Sequence, residues 1–150
     1  MTLVENLVAA IQQPRRSLFR SAAPRPHRER AVELLEEFGL AGLKDARADS
    51  LSFGQRKLLE FASVLMGKPQ LVLLDEPTSG VNPVMVETME RHIRELHAGG
   101  LTLLIVEHAM PMVMRLCDPV IVLDHGSKIA EGAPEAVQKD PAVLDAYLGT

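Results

Sequence analysis

Apolar residues recur every three or four positions through much of this chain, and elsewhere they run together in short blocks. Leu3, Leu7 and Ala10 share one face between Thr2 and Ile11, the spacing of an amphipathic helix. Ala31, Leu34, Leu35 and Phe38 do the same over Arg28–Phe38, with Gly39 as the stop, because glycine takes the left-handed conformation that closes helices. Leu58, Phe61, Ala62 and Leu65 stripe a helix from Gln55 to Met66 that Gly67 and Pro69 end. Asn82-Pro83 opens another helix reaching His97: asparagine caps it, and proline fits a first turn that needs no amide donor. Gly99-Gly100 closes it.

The blocks read differently. Leu71–Leu74 is short and wholly apolar, which predicts a strand covered on both faces, as in parallel sheets. Leu101–Val106 and Val120–Leu123 predict a second and a third strand. Asp124-His125-Gly126 reads as a hairpin turn into Lys128–Glu131, and Pro134–Gln138 and Pro141–Leu148 as short closing helices. Strand, helix, strand from 71 to 106 is a βαβ unit, so a helical first half precedes an α/β second half. Between Gln13 and Pro26 the periodicity collapses. Pro14, Pro24 and Pro26 interrupt it while Arg15, Arg16, Arg20 and Arg25 add charge. That stretch reads as a solvated loop, with a phosphate or lipid-headgroup contact as the alternative.

Composition narrows the class. The 150 residues, 47% hydrophobic, suffice for one modest core or two small lobes of a larger one. A net charge of -4 offers no general attraction to nucleic acid or anionic lipid, and 3% aromatic residues leave few stacking platforms for single strands. Cys117 stands alone, which excludes an internal disulfide and fits a reducing compartment. No charged segment precedes an apolar core at the N-terminus, and runs such as Leu103–Val106 fall far short of the ~20 residues that span a bilayer. A soluble, cytosolic protein is expected.

Two strings carry the candidate chemistry. Ser52-Phe53-Gly54-Gln55 fits S-x-x-Q, a capping box in which the Ser52 hydroxyl accepts from the Gln55 amide and the Gln55 side chain reaches back. A serine, a glycine and helix N-terminal amides also suit a phosphate. Asp75-Glu76 ends the block Leu71–Leu74, twenty residues after Leu51. Taken alone, these are acids starting a loop. Their alternative reading is mechanical: one carboxylate holds Mg²⁺ through its water shell while the other faces an attacking water. His108 follows Val106 at the sheet edge where open α/β folds place ligands. Taken singly, each of the five histidines reads as a surface residue, and no zinc-like spacing occurs. Met110, Met112 and Met114 read as packing, and Cys117 as a small buried hydrophobe.

In this order, Leu51-Ser52-Phe53-Gly54-Gln55 and Leu71-Val72-Leu73-Leu74-Asp75-Glu76-Pro77 resemble the signature loop and Walker B strand of the ATP-binding cassette (ABC) ATPases. Ser79-Gly80-Val81-Asn82-Pro83 resembles the D-loop of the branch that energises branched-chain amino acid importers. Ile105-Val106-Glu107-His108 resembles its switch-histidine strand, with Ala109 where aspartate is common. Phe53 in place of the first signature glycine is similar to the same branch. So are the run Leu116 to Gly126, the ending Ala146-Tyr147-Leu148-Gly149, and Met1 to Leu7 as the helix after the family's Q-loop.

The resemblance implies an α/β fold in which a helical subdomain precedes the C-terminal part of a P-loop NTPase (RecA-like) parallel sheet. Residues 1–67 would be the signature subdomain and 68–150 part of the ATPase core. It implies that Asp75 coordinates Mg²⁺ through water, that Glu76 is the general base, and that His108 contacts the γ-phosphate. Ser52, Phe53, Gly54 and Gln55 would close over ATP bound to a second ABC subunit in a head-to-tail dimer. Ser79, Gly80 and Asn82 would line that interface. Transmembrane permease subunits would hold the chain on the inner face of the cell membrane, with no nucleic-acid partner. Gln12 and Gln13 are not the Q-loop glutamine.

The departure is large. No G-x-x-x-x-G-K-[ST] loop occurs in the sequence, so neither a lysine nor a backbone nest is present to hold the β- and γ-phosphates. The expectation is that the phosphate cradle lies upstream of Met1, that the chain alone neither hydrolyses nor tightly binds ATP, and that an unpaired apolar sheet edge is left open. Alternatives within the fold are import of urea or another small solute and a chromosome-maintenance ATPase, against which His108 weighs. A non-catalytic module that only docks to a permease or partner is the third.

Overall fold

The computed structural model describes residues 1–11 and 24–148, with side chains through Ala146. Gln12, Gln13 and most of the arginine-rich stretch lie outside the described residues. Two compact units emerge, one of residues 1–72 and 77–104, the other of residues 73–76 and 105 onward.

The first unit holds α1 (Leu3–Ala10), α2 (Arg25–Glu37), α3 (Phe53–Leu65) and α4 (Pro83–Ala98). A capping box starts α1: Thr2 Oγ1 accepts from the Glu5 amide at 3.2 Å, and the Thr2 amide donates to Glu5 Oε2 at 2.8 Å. Leu3, Leu7, Ala31, Leu34 and Leu35 are fully buried, and Phe38, Leu58, Phe61 and Leu65 nearly so. Most of the residues whose periodicity predicted the helices are among these, but Ala10, expected beside Leu3 and Leu7, is exposed, and Val4 and Val8 are buried with them instead. Phe38 meets Phe61 edge-on, with ring centroids 5.4 Å apart. α2 starts at Arg25, three residues before its expected beginning. Pro24 sits at the cap and Pro26 in the first turn, where a missing N–H is harmless, so these prolines initiate the helix instead of breaking it. Gly39, at φ +68°, ends α2. The Leu40 amide donates to Leu35 O at 2.7 Å and the Gly39 amide to Glu36 O at 3.0 Å, the paired bonds of a Schellman stop.

Strands β1 (Leu71–Asp75) and β2 (Thr102–Val106) pair with each other. The Thr102 amide donates to Gln70 O at 3.1 Å and the Glu76 amide to Val106 O at 2.9 Å, so they run parallel. The expectation of strands covered on both faces is corrected here. Val72 is buried, whereas Leu71 and Leu73 are 51% and 69% exposed, and Leu104 and Val106 52% and 58%. An all-apolar strand asks for cover on two faces, and the described residues supply it on one.

In the second unit β3 (Val120–Asp124) and β4 (Ser127–Gly132) form an antiparallel hairpin. His125 and Gly126 both have positive φ, 46° and 80°, which the tight hairpin turn requires. α5 (Met110–Leu116), α6 (Pro134–Val137) and α7 (Pro141–Leu148) complete the unit. Val120, Val137 and Val143 form its core, with Val113, Met114, Cys117 and Ile129 packed against them. α5 was not expected. It puts Met112 in the interior and leaves Met110 and Met114 half-buried. Burial pushes the Cys117 thiol up from its ordinary value, which suits packing and not nucleophilic chemistry. Among the described residues no helix is long and apolar enough to cross a membrane.

Candidate functional site

The expected site residues fall into two groups, one in each unit. In the first unit, Ser52 caps α3 in an extended conformation. Its Oγ accepts from the Gln55 amide at 3.3 Å, and its own amide donates to Gln55 Oε1 at 3.0 Å. The predicted capping box is present. Helix geometry leaves the amides of Phe53 and Gly54 without an intrahelical acceptor, beside the exposed Ser52 hydroxyl.

Phe53 is half-exposed, with Lys57 Nζ 5.9 Å from its ring centroid. The same ring lies against the backbone of Gly80. A Cβ built on Gly80 would stand 3.4 Å from Phe53 Cε1. Gly80, at φ +72°, occupies the third position of a turn closed by the Val81 amide donating to Thr78 O at 3.1 Å, a conformation glycine adopts without strain. Ser79 is exposed on that turn. Asn82 then caps α4, its Oδ1 accepting from the Met85 amide at 3.0 Å. Gly54 faces the same helix: a Cβ there would lie 3.0 Å from Met85 Cγ. Ser52 to Gln55 and Ser79 to Asn82, separate in sequence, thus share one packed corner through Phe53–Gly80 and Gly54–Met85.

In the second unit, Asp75 ends β1 with its side chain exposed. Glu76 follows at φ +43°, an unusual conformation for a residue with a Cβ, held by its amide bond to Val106 O. Glu76 Oε1 lies 3.4 Å from His108 Nδ1. Both side chains are exposed, at 52% and 74%. Carboxylate and imidazole therefore meet at the ends of two neighbouring strands.

Glu107, to which the sequence reading gave no role, turns out to be structural. Its side chain is 1% exposed, and Oε2 accepts from the amides of His108 and Ala109 at 3.0 and 3.2 Å. A carboxylate accepting from two backbone amides holds the turn that presents His108. The alternation of Val106, Glu107 and His108 along a strand end was the available signal. His92 corrects the surface reading of the histidines: it is 4% exposed and stacks on Phe38 at 4.4 Å between centroids. Burial pushes its imidazole below the ordinary value, and Arg91 adds to the effect. His92 lies on the buried stripe with Met89 and Ile93, which helical spacing could have revealed.

Among the described residues no cluster of three His, Cys, Asp or Glu could hold a metal. A single carboxylate such as Asp75 matches a hydrated Mg²⁺ only where phosphate oxygens complete its shell.

Two family models match separate parts of the chain. The model of the ABC transporter family matches residues 1–79, and that of the branched-chain amino acid ATP-binding cassette transporter matches residues 127–150. A probable branched-chain amino acid transport ATP-binding protein LivG of Archaeoglobus fulgidus is 39% identical over 99% of this chain and 60% of its own length. LivG of Escherichia coli is 35% identical over 99% of this chain and 62% of its own. The lipopolysaccharide export system ATP-binding protein LptB of Haemophilus influenzae is 35% identical over 99% and 60%. The solved ADP conformation of MJ1267, an ATP-binding cassette of an ABC transporter, superposes with a TM-score of 0.83 at 37% identity, over 100% of this chain and 63% of that one. The chain spans about three-fifths of the length of the curated relatives it matches.

Proposed function

Because the chain belongs to the ABC transporter family, we propose that it supplies the signature segment and the catalytic acid of an ATP-binding cassette powering branched-chain amino acid import. The observation that carries this is the Glu76–His108 contact at the adjoining ends of β1 and β2. Bound Mg-ATP would supply the γ-phosphoryl group that water attacks, with ADP as the leaving group. Glu76 would polarise that water and take its proton, while Asp75 would hold a magnesium ion through the ion's water shell. With Nδ1 turned to Glu76, His108 keeps Nε2 for the nucleotide phosphates; donation from both ring nitrogens at once needs the doubly protonated imidazole. Glu107 keeps this histidine in place. Residues 1–67 serve as the signature subdomain and 68–150 as part of the core. Ser52, Phe53, Gly54 and Gln55 close over the nucleotide of a second cassette, and Ser79, Gly80 and Asn82 line the interface between the two. The permease places the assembly on the inner face of the membrane.

The absent glycine-rich loop sets the test. Catalysis of phosphoryl transfer is mostly positioning and charge stabilisation, so a base without a phosphate cradle is not sufficient. The 150 residues alone should show no micromolar Mg-ATP affinity by calorimetry. Joined to the remaining part of the Archaeoglobus cassette they should hydrolyse ATP, and Glu76→Gln should cut turnover at least ~100-fold, the scale of a positioned general base, while ATP binding persists. Tight binding by the chain alone, or full turnover in Glu76→Gln, would refute the assignment. The match to the branched-chain model at residues 127–150 favours amino-acid import. The similarity to LptB supports lipopolysaccharide export as the second reading, and co-purification with an amino-acid permease discriminates between them.

A further inference from the structure

Phe53 is a large apolar side chain on the first turn of α3, and half of it is exposed. A singly exposed apolar residue is ordinary, so its contacts decide what it does. Lys57 stands four residues on along the same helix, its Nζ 5.9 Å from the ring centroid and 3.8 Å from Glu60 Oε2. That pairing restrains the ring from its own helix. Across the corner the ring meets Gly80. Around the place where a Cβ on Gly80 would stand, Phe53 Cε1 lies at 3.4 Å and Cζ at 3.5 Å. Among the described residues, apart from the chain neighbours of Gly80, no other heavy atom comes within 4 Å of that place. This side of the turn therefore leans on one side chain of α3. The turn is closed by the Val81 amide donating to Thr78 O at 3.1 Å, with Gly80 at φ +72° and Ser79 exposed. Glycine has more backbone freedom to lose than any other residue, so a turn centred on it keeps its shape while a neighbour holds it.

The second contact of the corner is of another kind. Gly54 meets Met85, which lies past the Asn82 cap and so joins helix to helix. Phe53 joins the first turn of α3 to the turn ahead of α4. We propose that Phe53 is a positioning residue whose ring makes the order of the Ser79–Asn82 turn depend on the order of the Ser52–Gln55 turn. Whatever fixes the start of α3 then fixes the turn carrying Ser79 and Asn82, and the dependence runs equally in reverse. Glycine at position 53 would leave the space beside Gly80 empty and the two segments independent. This role rests on the cassette reading above, in which both segments face a second cassette, and adds the side chain that makes them act together.

Amide exchange of the 150-residue chain tests the tie without nucleotide. Phe53→Ala should speed exchange at the Val81 amide at least tenfold. Phe53→Met, long enough to reach Gly80, should keep it within threefold of native. Ser52→Ala, which removes the cap of α3, should speed Val81 at least threefold in the native chain and have no effect there in a Phe53→Ala background. Unaltered exchange in α1 shows that the variants remain folded. A merely structural role for Phe53 would make the two substitutions additive. Native exchange at Val81 in Phe53→Ala, or an equal effect of Ser52→Ala in the two backgrounds, would overturn the proposal. In the joined Archaeoglobus cassette carrying Glu76→Gln, Mg-ATP should slow exchange at Gly54 and Gln55 with or without Phe53→Ala. At Val81 it should slow exchange at least tenfold with Phe53 present and less than threefold in Phe53→Ala. Equal slowing at Val81 would also overturn the proposal. No slowing at Gly54 or Gln55 in any variant would count against the cassette reading alone, and exchange in the 150-residue chain would still decide the tie.

Discussion

Replacing Gly54 by alanine should destabilise the first unit, opposite to what helix propensity sets. Gly54 is buried in the first turn of α3, where a Cβ would lie 3.0 Å from Met85 Cγ, 3.2 Å from Cε and 3.6 Å from Cβ. Carbon atoms attract best at ~3.5–4.0 Å, so the first two contacts overlap. Because Cγ adjoins the backbone-borne Cβ, Met85 cannot clear the space by swinging its tip alone. Alanine gains about 0.5–1 kcal/mol over glycine inside a helix. Overpacking a filled contact costs about 1–3 kcal/mol, which leaves a net loss of roughly 0.5–2 kcal/mol. Urea denaturation reads this as a lower midpoint at unchanged slope. In a Met85→Ala background the new methyl meets only the retained Cβ at 3.6 Å, an ordinary contact, so the same substitution should stabilise by about 0.5–1 kcal/mol. The double-mutant cycle should then return a coupling of roughly 1–3 kcal/mol. An equal effect of Gly54→Ala in the two backgrounds, or a stabilisation in the native one, would refute the argument that α4 dictates glycine here.

Glu107→Ala should cost about 1–3 kcal/mol, because it leaves the His108 and Ala109 amides without their acceptor. Faster amide exchange confined to residues 108–109 is the accompanying sign, and unchanged exchange there would exclude the bracing role. His92→Phe keeps the ring on Phe38 and removes its titration. The His92 pKa is lowered in the fold from an ordinary value of 6.5, so below that pH the unfolded chain binds the proton more readily. The stability that neutral His92 contributes is fully present above pH 6.5 and is lost as the pH falls through it. The melting temperature of the native chain should therefore decline from pH 7 to 5 more steeply than that of His92→Phe, and parallel curves would contradict the burial of this imidazole.

The capping box at Ser52, the Asn82 cap, the Gly39 stop and the His125-Gly126 turn were all determined by the sequence alone. Each depends on groups within five residues of one another, so local composition suffices to decide it. The ordered signature, Walker B, D-loop and histidine motifs were legible for the same reason. Only the tertiary structure decided that His92 is interior, that Glu107 turns inward to hold His108, and that Phe53 and Gly54 fit against Gly80 and Met85. Those outcomes depend on which distant surface arrives opposite each side chain. The strands show the boundary most plainly. Their apolar alternation asks for cover on two faces, but whether cover exists depends on what the rest of the molecule brings, and a strand of five residues carries no record of that.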